Sequence, residues 1–307
     1  MYKKTYFFKT SPYDETRLSV LMIVPDTVKG VVQIAHGMAE HKERYLPLMK
    51  FLAKHHYATI IHDHRGHGMS VRSQEELGFF NDESAEYIVE DVHVIYEKMK
   101  ARFSDVPYIL FGHSMGSLVV RKFLQKYDAL LDGLIVCGAP GNNPLTDFGL
   151  RTVERLEKRF GNNHRSKLIE KLSTGAYDRP FEGKHKNRWI SANEENVRAF
   201  NAHPSDGFTF TLNGYKNLFK LVKDVYTPGN WSKENLDLPI LFIAGEDDPV
   251  LLSIEKWKEA QSFLKMEGYK NVEGVLFDGM RHEILNEKNK ELVYETILHF
   301  LEGICER

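Results

Sequence analysis

Cysteine is scarce. The 307-residue chain has two, Cys137 and Cys305. Two cysteines cannot build the disulfide framework of a small secreted domain, so the expected location is the reducing cytoplasm. An excess of one charge is also missing. Lys and Arg total 41 against 43 Asp and Glu, a net charge of −2, which excludes the basic footprint of a nucleic-acid binder. Long apolar runs are absent too. The longest stretch without Asp, Glu, Lys or Arg covers residues 106–120 and contains Gly112, His113, Ser114, Gly116 and Ser117, whereas a membrane-spanning helix needs ~20 mainly apolar residues. Residues 1–9 carry Lys3, Lys4 and Lys9 but not the apolar core of about 7 residues or more that marks a signal peptide. No internal repeat or low-complexity segment stands out.

Hydrophobic residues make up 42% of the chain and aromatics 12%, too many for a disordered chain. In the first half, apolar runs alternate with amphipathic stretches. Strands are expected at residues 18–24, 31–35, 58–61, 108–111 and 133–137, and helices at 45–55, 83–103 and 114–127. The alternation stops near Pro140 and resumes at Leu238, with strands at 239–244 and 272–277 and helices at 254–265 and 288–301. Strands apolar on both faces, separated by helices, predict an α/β fold with a mostly parallel central sheet covered on both sides. Residues 1–141 and 232–307 then form the core. Residues 142–231, richer in charge and helical in character, are an insertion, with a candidate stripe of Leu150, Val153, Leu156 and Phe160 and an aromatic-rich run from Phe208 to Val222.

The sharpest local signal is Gly112-His113-Ser114-Met115-Gly116. It matches G-x-S-x-G and falls between an expected strand and an expected helix, which is the setting of a nucleophile elbow. Glycine on either side suits a sharp turn that exposes the serine hydroxyl, and the following helix points N–H groups at developing negative charge. The bland reading is a glycine-rich turn with an idle serine. A serine needs a base and a group that orients the base. The tail supplies both in the chain order acid, then histidine: Gly245-Glu246-Asp247-Asp248-Pro249-Val250 after one strand and Met280-Arg281-His282-Glu283 after the next. Adjacent residues in extended chain point opposite ways, and the residue before Pro249 is held extended, so Asp248 is the expected acid and Asp247 a solvated carboxylate. Ala35-His36-Gly37-Met38 ends an early strand. The Met38 and Met115 backbone N–H groups are the expected oxyanion donors.

Five segments carry a resemblance. Residues 36–45 resemble the H-G-x-x-E-H-x-x-R-Y segment of the monoacylglycerol lipase and lysophospholipase branch of the α/β-hydrolases, a branch of serine aminopeptidase-type hydrolases. Residues 63–70 resemble its D-x-R-G-H-G-x-S loop, and residues 112–117 its elbow. Gly245, Asp248 and Val250 match its G-x-x-D-x-V spacing, and residues 281–287 its R-H-E-x-x-N-E ending. The resemblance implies Ser114 as nucleophile, His282 as base and Asp248 as orienter, with residues 142–231 as a cap. Residues 200–208 look like a segment of bacterial members, in which an Asp often stands where His203 stands here. The implied reaction is hydrolysis of a monoacylglycerol or lysophospholipid through an acyl-enzyme, without cofactor or metal. The same triad serves short-chain or aryl esters, thioesters and small-peptide amides. A cap face can touch a membrane transiently when the substrate is lipid, although no strongly basic amphipathic helix is apparent.

Two rivals come from other classes. His62-Asp63-His64-Arg65-Gly66-His67 is spaced like the H-x-H-x-D-H cluster of the metallo-β-lactamase fold, but Gly66 stands in place of the required Asp. A hydrolase fold can also serve as a non-catalytic ligand binder.

Overall fold

Strands apolar on both faces need helices on both sides of their sheet. The computed structural model, which describes residues 1–306, meets that need. In chain order its main elements are β1 (Tyr2–Thr10), β2 (Arg17–Pro25), β3 (Gly30–Ala35), α1 (Leu46–Lys54), β4 (Tyr57–His62), α2 (Tyr87–Lys100), β5 (Tyr108–His113), α3 (Met115–Tyr127) and β6 (Gly133–Cys137). Then come α4 (Thr146–Phe160), α5 (Lys167–Ser173), α6 (Glu194–Ala202), α7 (Leu212–Asp224), β7 (Ile240–Gly245), α8 (Ile254–Glu267), β8 (Val272–Phe277) and α9 (Lys290–Cys305). The strands form a single sheet in the order β1-β2-β4-β3-β5-β6-β7-β8. The β1–β2 and β2–β4 pairs are antiparallel, and every other pair is parallel. The α/β fold read from the sequence is therefore the fold of the chain.

Alternate residues serve opposite faces. Val20 and Met22 of β2 join the core under α2, α3 and α8, while Leu21 and Ile23 join the core under α1 and α9. Two differences from the sequence reading have local causes. β1 was not expected: it is an edge strand with no fully buried residue, so it lacks the apolar run that marked the others. α2 begins at Tyr87 rather than at 83, because the Asp82 carboxylate accepts the N–H groups of Ser84 and Tyr87 and holds the intervening residues in a turn. Between β6 and β7 the described residues contain helices and no strand. Gly149 lets α4 settle against the Phe219 ring of α7, where a Cβ would lie 3.3 Å away.

The parallel strands deliver their carboxyl ends to one edge of the sheet, where ligands of open α/β folds bind. β3 runs into residues 36–41, β5 into Ser114, β7 into Asp248 and β8 into His282. Close approach at this edge depends on glycine. A Cβ on Gly116 would lie 2.0 Å from the Ala35 carbonyl oxygen, and one on Gly112 2.3 Å from the Gly116 carbonyl oxygen. Both obstacles are backbone and cannot swing aside. Gly116→Ala is therefore expected to cost about 3 kcal/mol of stability in urea unfolding. Gly303→Ala, in α9 with nothing within 4 Å of the added Cβ, should instead gain up to ~1 kcal/mol.

Candidate active site

The turn between β5 and α3 concentrates its strain on one residue. Ser114 has φ 53° and ψ −119°, a conformation that costs a side-chain-bearing residue about 1–3 kcal/mol. From sequence alone, the flanking glycines are the residues expected to permit the tight turn. The structure gives them the different task of letting α3 lie against β3 and β5 without a Cβ between. The elbow is held by Ser114 N–H donating to the Cys137 carbonyl at 2.9 Å and by the Ser117 hydroxyl donating to the Ser114 carbonyl at 2.6 Å. Ser114 lines a cavity that it shares with His282.

Of the two adjacent carboxylates, Asp248 is buried and Asp247 exposed. Asp248 Oδ2 lies 2.8 Å from His282 Nδ1, and its Oδ1 accepts the Val250 N–H at 2.9 Å. Both carboxylate oxygens are thus engaged, which fixes the imidazole and leaves its other nitrogen for chemistry. Met38 and Met115 also line the cavity. Among the described residues neither backbone N–H has a hydrogen-bond partner within the protein.

The loop that carries Met38 is anchored by residues of the first two resembling motifs. Glu40 accepts from Gly37 N–H at 2.5 Å, from the Tyr45 hydroxyl at 2.8 Å and from Arg44 Nε at 3.2 Å. His67 Nε2 accepts the Ala39 N–H at 3.2 Å, and His36 Nε2 accepts the His64 N–H at 2.9 Å. Asp63 takes the N–H groups of Lys42 and Met69 and the Lys42 ammonium, the last at 2.6 Å. The first two resembling motifs are therefore a brace for one loop. Their signal in the sequence was charge and histidine clustered beside glycine turns at strand ends.

His113 lies between this brace and His282. Its Nδ1 faces Glu40 Oε1 at 3.4 Å and its Nε2 faces the His282 carbonyl at 3.2 Å. Burial opposes charge on this ring, but the Glu40 carboxylate outweighs it and raises the pKa. Glu40 is correspondingly lowered: burial works the other way, and the His113 and Arg44 cations prevail. The Cys137 thiol is raised by burial and by Asp248, which leaves it without nucleophilic character.

The last resembling motif grips the segment between β6 and β7. Arg281 Nη1 donates to the Arg188 carbonyl at 2.7 Å, and Glu283 N–H donates to the Ile190 carbonyl at 2.7 Å. Glu287 accepts the N–H groups of Ala192 and Asn193 at 2.7 and 3.0 Å. The Glu283 carboxylate bonds Arg44 and Asn196. Above Ser114 these contacts hold an apolar cavity of about 340 Å³, lined among others by Phe148, Ile169, Trp189, Phe208, Leu218 and Phe219. Of the aromatic-rich run, Phe208, Tyr215, Leu218, Phe219 and Val222 reach the cavity. Val153 of the expected α4 stripe is buried, whereas Phe160 is exposed. Trp189 was missed, because it stands alone in a charge-rich stretch without periodicity.

The histidines of residues 62–67 do not converge. Among the described residues, the one group whose donor atoms lie within 4.8 Å of one another is His41, His203 and Asp206. There the two imidazoles are stacked at 4.0 Å and 12°, so their lone pairs run side by side rather than toward a common point. His41 Nδ1 is already engaged by Asp206 Oδ1 at 2.7 Å. The unexpected His203 is thus half of a stacked pair that joins residues 203–207 to the Met38 loop, beside the Gly207 N–H to Ala39 carbonyl bond of 2.8 Å.

With this geometry in place, known proteins give a consistent comparison. The model of the family described as "Serine aminopeptidase, S33" matches residues 26–289. A probable lysophospholipase L2 of Haemophilus influenzae is 23% identical over 91% of the chain and 86% of its own length. A monoacylglycerol lipase of Mycolicibacterium smegmatis is 24% identical over 90% of each chain. A highly thermostable carboxyl esterase from Bacillus coagulans, solved in complex with glycerol, superposes with a TM-score of 0.91 at 26% identity, covering 98% of this chain and 99% of that one.

Proposed function

The chain belongs to the serine aminopeptidase S33 family, and from that premise we propose that it is a serine hydrolase of carboxylic esters, acting on monoacylglycerols or lysophospholipids. The observation that carries this reading is an apolar cavity ending at Ser114, His282 and two unengaged backbone N–H groups. In this reading Ser114 Oγ attacks the ester carbonyl and His282 takes its proton. Asp248, on Nδ1, holds the imidazole in the tautomer that accepts that proton. The Met38 and Met115 N–H groups receive the oxyanion. His282 then protonates the departing alcohol, and water releases the acyl group by the same roles in reverse. Residues 1–141 and 232–307 form the hydrolase core, and residues 142–231 are the cap that shelters the acyl chain.

The family description also names an amide substrate, and the cavity lining weighs against it. Binding a peptide's free ammonium requires an uncommitted carboxylate. Glu40 and Glu283 are held by Arg44, and Glu170 accepts the Thr209 hydroxyl at 2.7 Å. An acyl chain asks only for apolar wall, at ~0.8 kcal/mol per buried methylene. Transient contact with a lipid surface belongs to the same reading. Leu145, Phe148, Leu172 and Leu252 line the cavity and are also exposed, and α5 turns Lys167, Leu168, Lys171 and Leu172 outward. No helix among the described residues is long and apolar enough to cross a membrane. We extend the proposal to cytoplasmic residence, with Cys137 and Cys305 both as free thiols.

The test is a series of p-nitrophenyl esters from acetate to palmitate, with glycerol and lysophospholipid esters alongside. The proposal expects kcat/KM to peak at octanoate or longer. A peak at acetate or butyrate would replace the lipid reading with a small-ester esterase.

A further inference from the structure

Two rings pack against His282. One is His113, with ring centroids 4.7 Å apart; the other is Trp189, at 5.0 Å and 41°. Both nitrogens of His113 face acceptors, a carboxylate and a carbonyl. Such a ring is satisfied only as a doubly protonated imidazolium. A cation beside His282 opposes the positive charge that His282 gains on taking a proton. Trp189 supplies the opposite influence, because an aromatic face within ~6 Å attracts a cation. Trp189 is also held firmly. Its backbone N–H donates to Asp178 Oδ1 at 3.1 Å, and the Tyr177 ring packs on the indole at 5.1 Å. The flanking residues are tied to the His282 loop through Arg281, Glu283 and Glu287.

We infer that Trp189 is a positioning residue that stabilises positive charge on His282 during proton transfer, so that residues 142–231 contribute directly to the basicity of the site. The inference rests on the serine hydrolase reading above. An interaction that strengthens only as charge develops raises kcat rather than affinity. The other charged or titratable groups around His282 are Asp248, the His113–Glu40 pair, the Glu283–Arg44 pair and the Tyr177 phenol, which burial and Asp248 push up to about 12. All of them persist when Trp189 alone is changed.

The test compares Trp189→Phe and Trp189→Leu with the unaltered enzyme. Weakening the π face disfavours the protonated ring. The acidic limb of the kcat/KM profile is therefore expected to move to lower pH, more for Leu than for Phe. The plateau kcat should fall about three- to tenfold with KM little changed. In the unaltered chain, Trp189 emission should be quenched on the same acidic limb, and His282→Ala should abolish that step. If the variants do not fold, the emission titration decides alone. An unmoved acidic limb, with emission that ignores His282, overturns the inference and leaves Trp189 a structural wall. Activity that survives Ser114→Ala would instead overturn the serine hydrolase reading.

Discussion

Ser114→Ala is expected to lower kcat/KM on p-nitrophenyl esters by about 10⁴-fold or more, measured against the unaltered enzyme in the same series. The expectation is that large because no other group in the cavity can replace the serine. Ser173 and Thr174 line the cavity, but neither is fixed on an elbow at the head of α3. Burial and Asp248 push the Tyr177 phenol up to about 12, so it stays protonated at neutral pH. The same site predicts a stability signature. Ser114 and an alanine there bear the same strain at φ 53°, so Ser114→Ala should leave unfolding nearly unchanged. Ser114→Gly removes the Cβ and should stabilise the fold by about 1–2 kcal/mol while losing as much activity. If Ser114→Gly proved no more stable than Ser114→Ala, the elbow would not be the strained element described above. Asp248→Asn should also be severe, at about 10⁴ in kcat, because it alters the hydrogen bond that sets the imidazole tautomer.

Acid will destabilise this fold well before its carboxylates titrate. His36, His62, His64 and His67 are fully buried beside one another, with the His36 and His64 rings 4.3 Å apart. His36 and His67 are fixed as neutral tautomers, since each accepts a backbone N–H on Nε2 and donates to a carbonyl from Nδ1. Burial and the neighbouring His36 push His62 and His67 down to about 3, and burial lowers His36 and His64 as well. Above the unfolded value of ~6.5 these groups are neutral in both states and contribute no pH dependence. Below it the unfolded chain takes up protons that the folded chain refuses. Each group then costs about 1.4 kcal/mol per pH unit until its folded value is reached. At pH 5 His62 and His67 together should remove about 4 kcal/mol, a large part of a typical total of ~5–15 kcal/mol.

His41 and His113 act in the opposite sense. Burial lowers each, but Asp206 and Glu40 respectively raise them above the ordinary value. Their contribution is complete below ~6.5 and is lost as pH rises through their folded values. Carboxylates held low, such as Asp63 beside Lys42, lose their contribution only below ~4. Urea unfolding at pH 7 and pH 5 therefore reads the buried neutral histidines, less a smaller opposite contribution from His41 and His113. His62→Phe should flatten the dependence by about one group, because among the described residues neither His62 ring nitrogen has a partner to lose. Equal stability at the two pH values would contradict the burial of these rings as neutral species.

What the sequence made legible was what depends on local chain. The elbow announced itself because strand, turn and helix are contiguous. Asp248 and Asp247 separated on the strength of one proline and the alternation of an extended segment. Tasks that depend on distant contacts stayed hidden. The need for glycine at 116 comes from the Ala35 carbonyl, some eighty residues away in the chain. Glu40, Arg44 and Glu283 form one network across more than two hundred residues. The histidines at 62–67 suggested a ligand spacing, yet the sheet edge buries them and spends Asp63 on Lys42. β1 offered no apolar run because an edge strand buries no face fully.

The central claim is that Ser114 is a nucleophile activated by His282. Its most direct test is the intact mass of folded protein after treatment with a fluorophosphonate, followed by peptide mapping. The account predicts one adduct per chain, on Ser114, with none on Ser114→Ala and much slower labelling of His282→Ala. No adduct on folded protein, or an adduct that persists in Ser114→Ala, would contradict it.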